Sequence, residues 1–172
     1  MDIRMSFYTS ILSLASYANE LNANRSDSAL EIALAGELGA SGLTPEQASY
    51  IADNFVVIQQ QSTTESGFSA TLFQNIESQE YYFVTRGTDQ LFADVVVADL
   101  SQIGLIGVAA LQVVDMVNFY LQLITPDGTE VQQYGLDGSN NVVSIAPTTG
   151  LGVISSETSL ISAGHSLGGH LA

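Results

Sequence analysis

The order of apolar and polar positions divides the chain into short segments of alternating type. Phe7 to Leu21 places Leu12, Leu14 and Ala15 among its apolar positions and predicts a helix. Asp27 to Leu38 predicts a second short helix, closed by Gly39. Thr44-Pro45-Glu46-Gln47 is a capping box with proline at the first helical position, so a third helix should run to about Asn54. Phe55-Val56-Val57-Ile58 then predicts a strand. A second strand is expected from Phe68 to Gln74, after Gly67. Asn75 to Gln79 makes a turn into the aromatic, β-branched run Tyr81-Tyr82-Phe83-Val84-Thr85. Near the other end, Ser159-Leu160-Ile161-Ser162-Ala163 predicts a short buried strand. A meander, then helical material, then a strand is an α/β pattern with a mixed sheet and flanking helices.

Residues 103–124 are mostly apolar and long enough to raise a membrane span. Gln112, Asp115, Asn118 and Gln122 recur at spacings of three and four, which gathers them into one polar stripe. An intramembrane aspartate would also be costly. No transmembrane segment is therefore expected. The segment should be a helix packed on the sheet with a narrow wet face; the alternative is a mobile lid with an apolar face toward lipid. Past it, Pro126-Asp127-Gly128 and Asp137-Gly138-Ser139-Asn140-Asn141 are turn signals around Val131–Tyr134 and Val142–Ile145, which predicts a surface hairpin. The Asp-Gly spacing fits no EF-hand loop, so these read as turns and not as calcium ligands.

Chemistry enters at Gly164-His165-Ser166-Leu167-Gly168, a G-x-S-x-G that follows the last predicted strand. A strand running into this motif is the first half of a nucleophile elbow, in which a sharp turn holds a serine Oγ clear of the sheet. Glycines flank the serine where the backbone is too closely packed for a Cβ. Gly169 follows, and His170-Leu171-Ala172 could open a helix. Ser166 is the candidate nucleophile. A nucleophilic serine needs a base, held in place by an acid. His165 and His170 are the only histidines and both sit inside the elbow, where each reads as a packing or hydrogen-bonding residue. The expectation is thus an N-terminal portion of a single domain, residues 1–172, whose base and acid lie downstream; the alternative is a non-catalytic remnant that binds ligands or partners.

A second motif, Arg86-Gly87-Thr88-Asp89, ends the Tyr81–Thr85 strand. Together Y-F-V-T-R-G-T-D and G-H-S-L-G-G resemble the class 3, fungal-lipase-like family of α/β-hydrolases. Asp94-Val95-Val96-Val97-Ala98-Asp99-Leu100 is similar to the acidic element that lies between the two motifs in that family. The tryptophan often found there is missing, and the chain contains none. The resemblance covers about residues 80–172. It implies an α/β-hydrolase-like mixed sheet truncated after the elbow, and ester cleavage through a serine acyl-enzyme. It also implies an oxyanion hole formed by Thr88 and by the backbone N–H of Leu167. Preorganised donors of that kind stabilise the charge built on the tetrahedral intermediate. The implied substrate is a fatty acyl glycerol ester, with phospholipid second and other esters third.

Arg86 stands out without the family. The chain has three cationic residues, Arg4, Arg25 and Arg86, against 18 acidic ones. An arginine placed at the end of the most strand-like segment should be paired, with Asp94 and Asp99 as the candidate partners, and should brace the loop after the strand. The two aspartates have a plainer reading as capping or solvated carboxylates. The balance gives a net charge of −15, which excludes phosphate-backbone recognition and hence nucleic-acid partners. An apolar fraction of 46% argues for a folded core. No cysteine is present, so disulfides play no part. No Gly-rich phosphate loop or zinc-ligand cluster occurs, and no cofactor is expected from these residues. Met1–Met5 carries one basic residue and the stretch after it is broken by serines, unlike a secretory signal. An acidic, cysteine-free lipase of this kind resembles bacterial lipases exported through a C-terminal signal that follows calcium-binding Gly/Asp repeats. An extracellular location is therefore expected, with any calcium bound downstream of Ala172.

Overall fold

The computed structural model describes residues 2–18, 21, 27–36, 43–86, 102–165, 168–169 and 171–172. Its elements run α1 (Ile3–Ala15), α2 (Asp27–Gly36), α3 (Pro45–Asn54), β1 (Phe55–Gln61), β2 (Ala70–Asn75), β3 (Tyr81–Thr85), α4 (Gln102–Ile124), β4 (Glu130–Leu136), β5 (Val142–Thr149) and β6 (Leu160–Gly164). They divide into two compact units. One holds residues 1–62, 69–87 and 159–172; the other holds 63–68 and 88–158.

The first unit is built on a four-stranded mixed sheet in the order β1-β2-β3-β6. β1, β2 and β3 are antiparallel neighbours, whereas β6 pairs parallel to β3, from Tyr81 opposite Leu160 to Thr85 opposite Gly164. A parallel neighbour cannot be reached by a hairpin. The chain between β3 and β6 is therefore long, and it supplies most of the second unit. The β2–β3 turn is set by Asn75, whose Oδ1 accepts the N–H groups of Glu77 and Ser78 at 3.0 and 2.8 Å. Phe55, Phe73, Tyr82, Val84 and Ala163 join Ile11, Leu12, Ile51 and Leu34 in one core. Tyr8, Phe55 and Tyr82 meet edge to face there, at centroid distances of 5.0 to 6.1 Å. Burial, joined by the negative charge of Glu80, pushes the Tyr82 phenol up to about 12.

The helices follow their caps. At α3, Thr44 Oγ1 accepts from Gln47 N–H at 3.3 Å and Gln47 Oε1 accepts from Thr44 N–H at 2.9 Å. α1 differs from the sequence expectation by beginning and ending earlier. Asp2 caps its start by accepting from Arg4 N–H. Its end is drawn tight by i→i−3 bonds from Tyr17 N–H to the Leu14 carbonyl and from Ala18 N–H to the Ala15 carbonyl. Thr9, Ser10 and Ser13 turn their hydroxyls back onto helix carbonyls three or four residues earlier. That use of serine inside a helix hides its boundary from a reading of propensity.

The second unit corrects one expectation. The stripe Gln112, Asp115, Asn118 and Gln122 on α4 is not a wet face. Gln112 and Asn118 are buried, and every member of the stripe has a protein partner. Gln112 donates to the Ser66 carbonyl at 3.0 Å. Asp115 Oδ2 accepts from the hydroxyls of Thr64 and Ser66, each at 2.7 Å. Asn118 donates to the Tyr134 carbonyl at 2.8 Å and accepts from Tyr134 N–H at 2.9 Å, and so pairs with β4 as a neighbouring strand residue would. Gln122 reaches Gln133 at 3.3 Å. Val113 and Val117 on the same helix are exposed instead. The backbone groups of Tyr134 in β4 require partners, and Asn118 provides them. The last turn of α4 is closed by the N–H of Leu151, which donates to the Gln122 carbonyl, and by those of Val153 and Ile154, which donate to the Leu123 carbonyl. β4 and β5 form the expected hairpin. Asp137 binds the N–H groups of Ser139 and Asn141 in its turn, and these bonds, with that of the Asn141 side chain, hold its carboxyl below the usual range. No helix among the described residues is long and apolar enough to cross a membrane.

Candidate active site

Ser166, Leu167 and Thr88, the three residues expected to carry the chemistry, lie outside the described residues, as do Asp94, Asp99 and His170. The residues flanking Ser166 and Leu167, His165 and Gly168, are described, and Arg86 is the described residue nearest to Thr88 in the chain. β6 ends at Gly164, beside Thr85 at the end of β3. Gly168 N–H donates to the His165 carbonyl at 3.0 Å, which brings positions three apart to turn distance. Leu171 and Ala172 N–H groups return to the Gly168 carbonyl at 3.1 and 3.2 Å.

Both flanking glycines are required by contact. A Cβ on Gly164 would collide with the Gly168 carbonyl oxygen and would lie 2.6 Å from Thr85 Oγ1. A Cβ on Gly168 would meet the Thr85 carbonyl oxygen at 2.6 Å and the carbonyl carbon and oxygen of Arg86 at 2.9 Å. The atoms facing Gly168 are backbone atoms at and just past the end of β3, where Thr85 is paired on both sides, and they cannot swing aside. Gly169 differs, since its nearest neighbour would be the Gly164 carbonyl oxygen at an ordinary 3.4 Å. The turn is pinned from beneath by Thr85, which is fully buried. Its Oγ1 donates to the Gly168 carbonyl at 2.7 Å, with the Ala163 carbonyl 3.3 Å away. Thr85 was not marked by the sequence; its only signal is a hydroxyl at the end of an apolar strand run.

Arg86 is buried, as its expected bracing role requires, and its N–H donates to the Ser69 carbonyl at 2.9 Å. Its guanidinium carbon lies 5.9 Å from the centroid of the Tyr17 ring. The expected pairing with Asp94 or Asp99 falls outside the described residues. His165 is exposed, and its Nδ1 lies 2.9 Å from the Tyr17 hydroxyl. That is the hydrogen-bonding role expected of it. Tyr17, separated from His165 by 148 positions, had no signal in the sequence. An open cleft of about 540 Å³ runs beside the elbow, between Thr9, Ser10 and Ser13 of α1 and Ser162, Gly164 and His165 of β6 and its turn. Among the described residues, no group of three or more His, Asp or Glu side chains is placed to hold a metal ion. No family model, curated protein or solved structure matches the chain.

Proposed function

We propose that the chain carries the nucleophile half of a serine ester hydrolase with an α/β-hydrolase type of sheet. One observation carries the reading. The two glycines of G-x-S-x-G are packed against the end of β3, so the strand before Ser166 must turn sharply next to the strand that leads into Arg86-Gly87-Thr88. In this reading Ser166 Oγ attacks the ester carbonyl carbon and its proton passes to a base. The tetrahedral oxyanion is met by N–H groups of Thr88 and Leu167, the alcohol departs with a proton, and water releases the acid from the acyl-enzyme. The 540 Å³ cleft supports it with a space of the size that small-molecule ligands fill. The favoured substrate is a fatty acyl glycerol ester, as the motif resemblance implies.

This reading takes the base from outside these residues. The only histidines are His165 and His170, and His165 Nδ1 is already engaged by Tyr17. The same fact favours the second reading, a hydrolase-type domain that binds acyl ligands or partners without turnover. Hydrolysis of p-nitrophenyl butyrate separates the two. The 172 residues alone should show none above background. Protein expressed from the complete reading frame that contains them should turn over, and Ser166→Ala should lower kcat by several powers of ten, on the order of 10⁴ or more. No turnover from the complete frame would leave the binding reading standing.

A further inference from the structure

One side chain touches both strand-end loops that the hydrolase reading needs. The Tyr17 hydroxyl is 2.9 Å from His165 Nδ1, and the two rings meet edge to face at 5.6 Å and 75°. The Arg86 guanidinium carbon stands 5.9 Å from the centroid of the same tyrosine ring. In the chain, His165 directly precedes Ser166 and Leu167, and Arg86 is separated from Thr88 by one glycine. The tight turn at the end of α1 is what delivers Tyr17 here, through the bond from its N–H to the Leu14 carbonyl at 3.2 Å.

We propose that Tyr17 is a positioning residue for the candidate active site: a single ring braces Arg86, the first residue after β3, against His165, the first residue after β6. The catalytic half of this proposal rests on the hydrolase reading; the geometric half does not. Two separable contacts do the positioning. The ring face holds the Arg86 cation, an electrostatic contact that needs no hydroxyl. The hydroxyl shares a hydrogen bond with His165 Nδ1, which fixes the ring orientation. Oxyanion donors lose their effect when displaced by a fraction of an ångström to an ångström, so a shared brace between their two loops affects rate more than substrate affinity.

The contacts can be tested separately by ¹⁵N NMR on the 172-residue protein. The wild type should show a His165 Nδ1 signal displaced by its hydrogen bond with the Tyr17 hydroxyl. Tyr17→Phe should shift the His165 ring nitrogen signals, Nδ1 most, and move the amide signals of 164–169 while leaving 85–87 in place. Tyr17→Leu should move both sets. Unchanged imidazole signals in Tyr17→Phe, or unmoved 85–87 amides in Tyr17→Leu, would overturn the proposal. The phenylalanine variant keeps the ring and its packing, so the imidazole result decides even if the leucine variant does not fold. In protein from the complete reading frame, Tyr17→Phe should lower kcat on p-nitrophenyl butyrate about three- to tenfold with KM unchanged. An unaltered kcat would overturn the catalytic half. Absence of turnover in the wild type would sink the hydrolase reading, and the imidazole result would then judge the brace alone.

Discussion

Gly168→Ala and Gly169→Ala are adjacent, chemically identical substitutions with opposite expected outcomes. At Gly168 the new methyl would lie 2.6 Å from the Thr85 carbonyl oxygen and 2.9 Å from two Arg86 backbone atoms. Such contacts must open by about half an ångström or more. Thr85 cannot yield alone, because it is paired with Ala70 on one side and Gly164 on the other. Either β3 or the elbow turn has to shift, and overpacking of this kind costs about 1–3 kcal/mol. For a chain of this length that is roughly 2–4 °C in Tm per kcal/mol, so a loss of about 3–10 °C is expected. At Gly169 the nearest atom is 3.4 Å away. Replacing a glycine without strain reduces the entropy of the unfolded chain, so Gly169→Ala should be neutral or stabilising by up to about 1 kcal/mol. Thermal unfolding followed by circular dichroism reads both. Equal melting temperatures for the two variants, or a greater loss in Gly169→Ala, would refute the claim that the elbow glycines answer to contact with the end of β3.

Two further outcomes follow from named groups. Asn118→Ala should cost about 1–3 kcal/mol in denaturant unfolding, because it strands both the N–H and the carbonyl of Tyr134; a change below about 0.5 kcal/mol would show that water replaces the side chain without penalty. Tyr82 is nearly inaccessible, with its phenol raised to about 12 against an ordinary 10. A raised folded value contributes stability that is whole below the unfolded value and lost as pH climbs through the folded one. Stability should therefore fall by about 2–3 kcal/mol between pH 10 and 12, and Tyr82→Phe should remove that decline. An alkaline profile unchanged in Tyr82→Phe would assign the loss elsewhere.

Local rules carried the fold where they acted alone. The Thr44–Gln47 box opens α3 as its spacing predicts, and the runs expected at 55–58, 68–74 and 81–85 become strands of one sheet, the second beginning two residues later, at Ala70. The ends of α1 were not legible, because serine hydroxyls that bond back to the helix look in sequence like the residues that end one. Periodicity found the polar stripe of α4 but not its direction. A stripe faces water or a strand edge according to what lies across from it, and Ser66 and Tyr134 are far away in the chain. The candidate site divides in the same way. Gly164 and Gly168 were legible because a close approach leaves no alternative residue. Thr85 and Tyr17 were not, since each acts through a partner that only the fold brings near.

The central claim is that Ser166 is a nucleophile, and covalent trapping tests it most directly. Protein from the complete reading frame would be treated with an alkyl fluorophosphonate, in which an activated serine displaces fluoride at phosphorus, and the adduct mapped by peptide mass spectrometry. The account predicts one phosphonyl group, on Ser166, absent in Ser166→Ala. Labelling of another residue, or none at all, would contradict it.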